Sequence, residues 1–562
     1  MKFIQGHNRD QITLFPVSLD QSISPDNDVR IIDLFVDSLS IKDYGFRTDF
    51  PENGRPAYHP SDLLKLFIYG YINKVRYSRD LEKECGRNIE VMWLLKCLKP
   101  DHNTISNFRR DNEKAIRKVF RATVQIAKHF DLIGGKLIAG DSTKLRAQNS
   151  KKNNYNQAKI DRHLAYIDNK LEEYTRALAE NDGDNRKQIE DEINKQEERK
   201  AAYKDLENKL KESGQPQISL SDPESRQIML RNNITEVAYN VQTTVDAKNN
   251  IPIDYKVTNE NDSKAMGNMV QRAKNILRTN EFTVLYDKGF HTGSELKTAQ
   301  DLGVETIVAI PGVPSTSQAP NPLFNYEFFI YNKEDDTYTC PQGQMLRTNG
   351  SWYKERTSSG NIIWFKQYKT SACKHYPFRS QCTRSKKGRV IQRSEYEEYY
   401  ERNRINTLEK EHLHKCRQAI VEHPYGTMKR QWGFSYILTK RGIKRASADV
   451  GFMFIAYNLR RIGNILTSNV LKEYLRILVL LFLSVSGFFR RKISRLGTCL
   501  FPETITTVKI YLSLVSHQTD CRIPPGKKFL DKLPLWANRS AQIDSIATYE
   551  KRTNSCFLKT LL

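Results

Sequence analysis

Two apolar runs that each end in an acid constrain the fold of this chain most. Leu137–Ile138–Ala139–Gly140–Asp141 leads into Ser142–Thr143–Lys144–Leu145–Arg146, and Phe282–Thr283–Val284–Leu285–Tyr286–Asp287 leads into Lys288–Gly289–Phe290. A short apolar run bounded by polar residues and glycine reads as a buried strand. Each of these strands would present a carboxylate at its tip. A lone acid after a strand is ordinarily a turn former or a helix cap, so the pair says more than either member. Thr235–Asp246 and Ile251–Val257 read as a hairpin about a turn at Asn249–Asn250. Ser263–Leu277 and Glu295–Leu302 have helical periodicity, and Glu305–Ile310 is another apolar strand. Strands and helices in alternation predict an α/β fold, a mixed sheet flanked by helices.

The flanking segments differ in character. Residues 1–130 read as an N-terminal all-α domain. Pro60 can start a helix whose apolar face is Leu63, Leu64, Leu66, Phe67, Tyr71 and Ile72. Ser78 opens a second helix with a hydroxyl cap, Ile89–Leu98 forms a third, and Asp101 begins a long one reaching His129. Arg109 and Arg110 lie near the start of that last helix. Short helices followed by an Arg-tipped one suit a helix-turn-helix-like DNA reader; the plainer alternative is a helical bundle with a basic edge. Residues 151–215 carry a heptad seam (Ile160, Leu164, Ile167, Leu171, Tyr174, Leu178), a break at Asn181–Asn185, and a second helical stretch. That is the pattern of an inserted antiparallel helical hairpin.

Residues 321–387 read as a second insertion, rich in Tyr, Thr, Ser and Lys and containing Cys340, Cys373, His375 and Cys382. A zinc ribbon needs two close cysteine pairs, and the spacing here argues against one. A charged helix from Glu395 to Val421 contains Arg417 and leads to Val421–Glu422–His423–Pro424–Tyr425–Gly426–Thr427–Met428–Lys429. Glu422 and Lys429 share a face if the helix is continuous. Pro424 either kinks it or begins a new helix. Ala446–Leu466 is a strongly apolar helix. Residues 467–562 read as a basic tail. The apolar run Ile477–Phe489 within it is too short to span a membrane and suits a buried helix.

Lysine and arginine number 89 against 65 acidic residues, a net charge of +24. Such an excess favours a polyanionic partner, most often nucleic acid. The first residues lack an apolar signal segment and the nine cysteines are scattered. Both point to a cytoplasmic protein with reduced thiols and no membrane association. Asp141, Asp287 and Glu422 then make three acids from separate elements, and carboxylates are proper ligands for hard cations such as Mg²⁺. Two such ions about 4 Å apart can drive phosphoryl transfer. The bland alternative is that Asp287 makes a turn with Gly289 and Glu422 pairs with Lys429 or a nearby arginine.

Three regions together resemble a bacterial insertion-sequence transposase of the DDE class, close to the eleven-eighty-two group. They are Gly54–Arg55–Pro56–Ala57–Tyr58–His59–Pro60 through Pro100–Asp101–His102–Asn103–Thr104–Ile105–Ser106–Asn107–Phe108–Arg109; Gly140–Asp141–Ser142–Thr143–Lys144 with Tyr286–Asp287–Lys288–Gly289–Phe290; and Val421–Glu422 to Lys429. The resemblance implies an RNase H-like catalytic domain over 131–320 and 388–466. It implies two Mg²⁺ or Mn²⁺ ions held by Asp141, Asp287 and Glu422, with Lys429 as a catalytic phosphate contact. Lys144, Arg146, Arg109, Arg110, Arg417 and Lys429 are the expected DNA contacts. The partners would be double-stranded terminal inverted repeats and target DNA, bound by a homodimer associated with the nucleoid, and the activity metal-dependent strand cleavage and strand transfer. A decayed DNA-binding relative and a nuclease without strand transfer are the alternatives.

Two departures from the family pattern stand out. Its signature is Tyr-x2-Arg-x3-Glu-x6-Lys, whereas Arg417 lies five residues before Glu422 and so turns about 140° away from it on a helix. Many members of the family it resembles carry a four-cysteine cluster in the insertion, where Tyr376 occupies one of the cysteine positions here.

Overall fold

A single buried helix joins the two halves of this molecule. The computed structural model describes residues 18–49, 56–180, 186–229, 234–312, 318–356, 362–439 and 441–494. In chain order, six helices come first: α1 (Asp28–Asp37), α2 (Pro60–Ile72), α3 (Ser78–Arg87), α4 (Ile89–Leu94), α5 (His102–Asp111) and α6 (Glu113–His129). Strand β1 (Leu137–Arg146) follows. A short β2 (Asn154–Tyr155) and β3 (Ile218–Ser219) bracket the hairpin of α7 (Gln157–Glu180) and α8 (Arg186–Ser213). Then come β4 (Arg226–Met229), β5 (Thr235–Asp246), β6 (Ile251–Thr258), α9 (Met266–Leu277), β7 (Thr283–Tyr286), α10 (Gly293–Asp301) and β8 (Glu305–Val308). A second sheet is built from β9 (Ile330–Asn332), β10 (Thr337–Thr339), β11 (Met345–Arg356), β12 (Ile362–Lys369) and β13 (Ile391–Ser394), with a one-turn α11 (Arg379–Cys382). The chain closes with α12 (Glu397–Glu409), α13 (Glu411–Tyr425), α14 (Ile443–Ile465) and α15 (Ser468–Ser494).

The main sheet is mixed, as the alternating pattern predicts. From β5 outward the order is β5-β1-β7-β8, with β6 and β4 sharing the far edge of β5. β5 runs antiparallel to β1, whereas β7 is parallel to β1 and β8 to β7. The β5–β6 hairpin forms where expected, with Asn250 in the left-handed conformation at φ 54.

Helix α14 is buried from Ala446 to Leu459 without interruption, as a helix apolar all round must be. It packs on α2, α5 and α6 on one side and on β6 on the other. Gly451 allows the close approach: a Cβ there would lie 2.6 Å from the Tyr255 hydroxyl on β6 and 2.8 Å from Ile116 Cγ2 on α6. Phe67 and Phe452 stack with centroids 4.8 Å apart, and Tyr255 and Phe454 at 5.3 Å. The N-terminal helices therefore share one continuous core with the sheet.

Inside that core sits a charged group. Asp449 of α14 is fully buried and accepts hydrogen bonds from Arg76 Nη2 at 3.1 Å, the Leu438 amide at 2.7 Å and the Tyr71 hydroxyl. Arg109 lies 3.5 Å from the same carboxylate and donates to the Tyr71 hydroxyl at 3.0 Å and to the Arg76 carbonyl at 3.1 Å. Burial pushes the Asp449 carboxyl up, but Arg76 and Arg109 outweigh it and hold the group below its ordinary value.

Several boundaries differ from the sequence reading. The helix expected from Asp101 to His129 is two helices, broken at Asn112, whose side chain turns back to donate to the Phe108 carbonyl at 2.7 Å. Helix α3 has Tyr77 rather than a serine at its N-cap, and no side-chain cap bond. The second sheet runs past residue 387 to take in Ile391–Ser394. The expected tail from 467 opens with α15, which packs on α1 and sends Lys472 Nζ to the Pro25 carbonyl at 2.7 Å. The rest of that tail, from 495, lies outside the described residues. Among the described residues no helix is long and apolar enough to cross a membrane.

The pairing of β1 with β7 depends on one residue without a side chain. The fully buried Tyr286 ring lies across Gly140, and a Cβ at Gly140 would overlap it. Gly140→Ala should destabilise the protein by about 1–3 kcal/mol in urea unfolding, the usual cost of overpacking. Asp449→Asn should cost more, about 3–5 kcal/mol, because two guanidinium groups lose their buried counter-charge. The sign with pH follows from the depressed carboxyl. The advantage of the natural chain over Asp449→Asn should be complete above pH ~4 and be lost as the pH falls through the lowered folded-state value.

Candidate active site

Strand periodicity brings the two strand aspartates to one face. Ala139 lies opposite Leu285 across the parallel β1–β7 pair. Alternate residues share a face, so Ala139 and Asp141 lie with Leu285 and Asp287. Their apolar members pack under Ile420 and Val421 of α13. Asp287 follows the last residue of β7, as a tip residue should. Asp141 does not sit at a tip: β1 continues to Arg146, and Asp141 lies in mid-strand opposite Thr243 of β5. The β7 ladder stops at Ala139, however, so Asp141 lies just past the point where β1 loses that neighbour.

The electrostatics agree with this proximity. Burial raises the Asp141 carboxyl above its ordinary value, the nearby Asp287 charge adds to the rise, and Arg417 opposes it. Arg417 Nη1 donates to Asp141 Oδ2 at 3.1 Å, and the Ser142 amide donates to Oδ1 at 2.7 Å. Asp287 Oδ1 accepts from the Gly289 amide at 2.9 Å, so it also makes the turn that the plainer reading expected.

Helix α13 supplies the third side of the site. It runs through Pro424 without beginning anew and passes directly into a π-helical turn at Gly426–Gln431. Arg417, Val421 and Tyr425 recur at a spacing of four and line the face toward β1. The Tyr425 hydroxyl donates to the Asp141 carbonyl at 3.2 Å and also contacts the Thr243 hydroxyl. Glu422 is one position round from this face. It is exposed, and its Oε1 accepts from Gln418 Nε2 at 2.8 Å. The wider π turn shifts the phase beyond it, and Lys429 Nζ reaches back to β1, donating to Thr143 Oγ1 at 3.0 Å and to the Lys144 carbonyl at 3.2 Å. The straight-helix expectation that Glu422 and Lys429 share a face therefore does not hold.

The expected DNA contacts fall into three environments. Arg109 is a correction: it is buried beside Asp449, and its role is to balance that charge rather than to meet phosphate. Lys144 is ion-paired with Asp262 at 2.8 Å, and Arg417 is held by Asp141. Arg146 is 62% exposed with Glu236 at 3.9 Å, and Arg110 lies on the surface beside Asp111 at 2.6 Å. The sequence reading missed Asp262, Tyr425 and Thr243. Asp262 accepts from Asn240 Nδ2 and Gln242 Nε2, both at 2.7 Å, as well as from Lys144. Its only local signal was a loop of Asn and Asp after β6.

Two carboxylates from neighbouring strands suit a hard divalent cation in charge and donor type. Among the described residues, no group of three or more His, Cys, Asp or Glu side chains is arranged to hold a metal. In the second sheet, Cys340, Cys373 and Cys382 line one small cavity together with Tyr376.

Comparison with known families adds the remaining constraint. The model described as Transposase domain (DUF772) matches residues 17–111, and the model described as Transposase DDE domain matches residues 339–463. The second match covers most of the second sheet together with α12, α13 and α14. No curated protein matches significantly. A solved structure of a piggyBac transposase synaptic complex with hairpin DNA aligns over 90% of this chain and 87% of that one, at 9% identity and a TM-score of 0.27, too low to carry weight. In these two stretches, the first helices and the segment that carries Glu422 and Lys429, the chain is similar to transposase domains.

Proposed function

We propose that this chain is an insertion-sequence transposase of the eleven-eighty-two type, which binds the terminal inverted repeats of its element, cleaves DNA there and joins the freed end to target DNA. The carrying observation is the β1–β7 register, which sets Asp141 beside Asp287 on the face covered by α13. The strand order β6-β5-β1-β7-β8, with β5 alone antiparallel to β1 at the centre, supports an RNase H-like reading of the sheet.

Asp141 and Asp287 would hold the divalent cations, Mg²⁺ or Mn²⁺, with Glu422 as the proposed third ligand. Bound there, such ions acidify a water or a 3′ hydroxyl and offset charge on the phosphoryl group. The protein's own side chains do the positioning. Arg417 and the Ser142 amide fix the Asp141 carboxylate from two sides. Tyr425 pins the backbone of the same residue. Lys429 holds an ammonium group against β1 two residues beyond Asp141, where it would meet a phosphate near the scissile bond. Arg110 and Arg146, on the surface, are the better placed of the remaining expected DNA contacts. A homodimer would hold the two element ends, and a cytoplasmic, nucleoid-bound enzyme follows from this role.

The outward side chain of Glu422 favours a second reading, a decayed relative that binds DNA without cutting it. One assay separates the two. With Mg²⁺ and labelled element ends, the natural chain should yield cleaved and joined products, and Asp287→Asn should lower both by more than about 100-fold, beyond what changes behind the ligands typically cost. Products that survive Asp287→Asn would sink the site, nicking without joining would favour a nuclease, and binding alone would favour the decayed form. Lys429→Ala should weaken binding of the ends and reduce the slope of log affinity against log salt by about 0.9, one phosphate contact. Asp287→Asn should leave that slope unchanged in the same titration.

A further inference from the structure

The second sheet extends past its own core as a two-stranded ribbon. Its core is Phe329, Tyr338, Leu346, Tyr368 and Ile391. Beyond Leu346 the β11–β12 register shifts between Thr348 and Trp352, with Gly350 at φ 79. Pairing then resumes with Trp352 opposite Lys366, Lys354 opposite Trp364 and Arg356 opposite Ile362. Alternate pairs share a face. One face of the ribbon therefore carries Trp352, Lys354, Arg356, Ile362, Trp364 and Lys366, with rings and cations interleaved on both strands.

This face is open. Trp352 is 49% exposed, Trp364 43% and Ile362 54%, and Lys354 and Arg356 are exposed as well. Lys366 is anchored to Asp336 at 2.8 Å and lies 5.3 Å from the Trp352 ring centroid, so it orients that ring. On the opposite face Tyr353 and Phe365 stack on each other at 6.0 Å. The two tryptophans have no such ring partner across the strands: each faces a lysine.

We propose that this ribbon face binds an unpaired DNA strand, with bases stacking on Trp352 and Trp364 and phosphates meeting Lys354 and Arg356. The inference rests on the reading of the chain as a DNA-processing protein. Aromatic platforms beside cations bind single strands with little sequence preference, because every base offers a π face. A duplex hides those faces in its own stack, and exposing one requires an extruded or unpaired base. A lipid surface or an apolar protein partner would account for the rings but gains less from cations set between them on the same face.

The test uses the full chain and two fluorescein-labelled probes, a dT20 single strand and a mixed-sequence 20-base-pair duplex, followed by anisotropy across a salt series. Trp352→Ala with Trp364→Ala should weaken dT20 binding at least ~10-fold, with the salt slope unchanged and duplex binding altered much less. Trp352→Phe with Trp364→Phe should restore most of the loss. Lys354→Gln with Arg356→Gln should reduce the dT20 salt slope by about 1.4, or 0.7 for each phosphate. Unchanged dT20 binding by the alanine pair overturns the proposal. So does an equal loss on both probes, or a change only in oligomeric state by size exclusion, which would assign the face to a second copy. A natural chain that binds neither probe overturns the DNA reading itself, whereas binding that ignores these substitutions overturns the ribbon alone.

Discussion

The carboxylate of Asp449 is the interaction on which the rest of the structure depends. A bare charge in a core is very costly, and it persists only with counter-charge and filled lone pairs. Arg76 and Arg109 supply the first; Tyr71 and the Leu438 amide supply the second. These partners come from α2, the segment before α3, α5 and the segment before α14. Each of these contacts comes from a different segment, so four separate parts of the chain must arrive together to offset the buried charge. Two arginines for one aspartate leave excess positive charge, which the rings of Phe434, Tyr436 and Phe67 face at 4.4, 5.2 and 5.4 Å.

The same network reaches the candidate site through the backbone. Arg76 Nη2 holds the Tyr436 carbonyl at 2.8 Å, and the Tyr436 segment pairs with the end of β1: the Arg146 amide donates to Ser435 and the Ile437 amide to Arg146. β1 is thus fixed at its far end by the helical half of the molecule and in its middle by Tyr286 lying across Gly140. Asp141 sits between these two constraints. On the other side, α13 carries Pro424 in its last turn and passes directly into a π turn. That turn carries Lys429 to β1. The aspartates are thereby built on strands locked by packing, while Glu422 sits on the outer side of a helix end. Of the three acids, the first two have positions dictated by the core and the third has a position dictated by helix phase.

What was legible in the sequence was local. The apolar runs before Asp141 and Asp287, the hairpin at Asn249–Asn250 and the hairpin of α7 and α8 all announce themselves through near-neighbour periodicity. The extent of β1 is legible too: Ser142, Lys144 and Arg146 alternate with Thr143 and Leu145, a period of two that carries the strand past Asp141. Arg109 could not be read. Its partner is 340 residues away, and an arginine beside a second arginine at a helix start looks like surface. The five-residue spacing between Arg417 and Glu422 says nothing of the partner of Arg417, which lies on β1. Asp262 became a site residue only when the β5–β6 hairpin folded it over Lys144.

The same separation between composition and placement governs how the positive charge should be understood. An excess of +24 says that a polyanion is welcome but not where. Many of the cations that look most available in the sequence are already committed: Arg76 and Arg109 to Asp449, Arg121 and Arg272 to Asp254, Lys65 to Asp33 and Asp37, Lys144 to Asp262. Each of these aspartates lies on an element that packs against another, and each pair fastens those elements. A phosphate competing for such a cation would have to displace the aspartate that already holds it. Under the proposed function, nucleic acid would be met by cations that the core does not hold, such as Arg146 at the end of β1 and Lys354 and Arg356 on the ribbon.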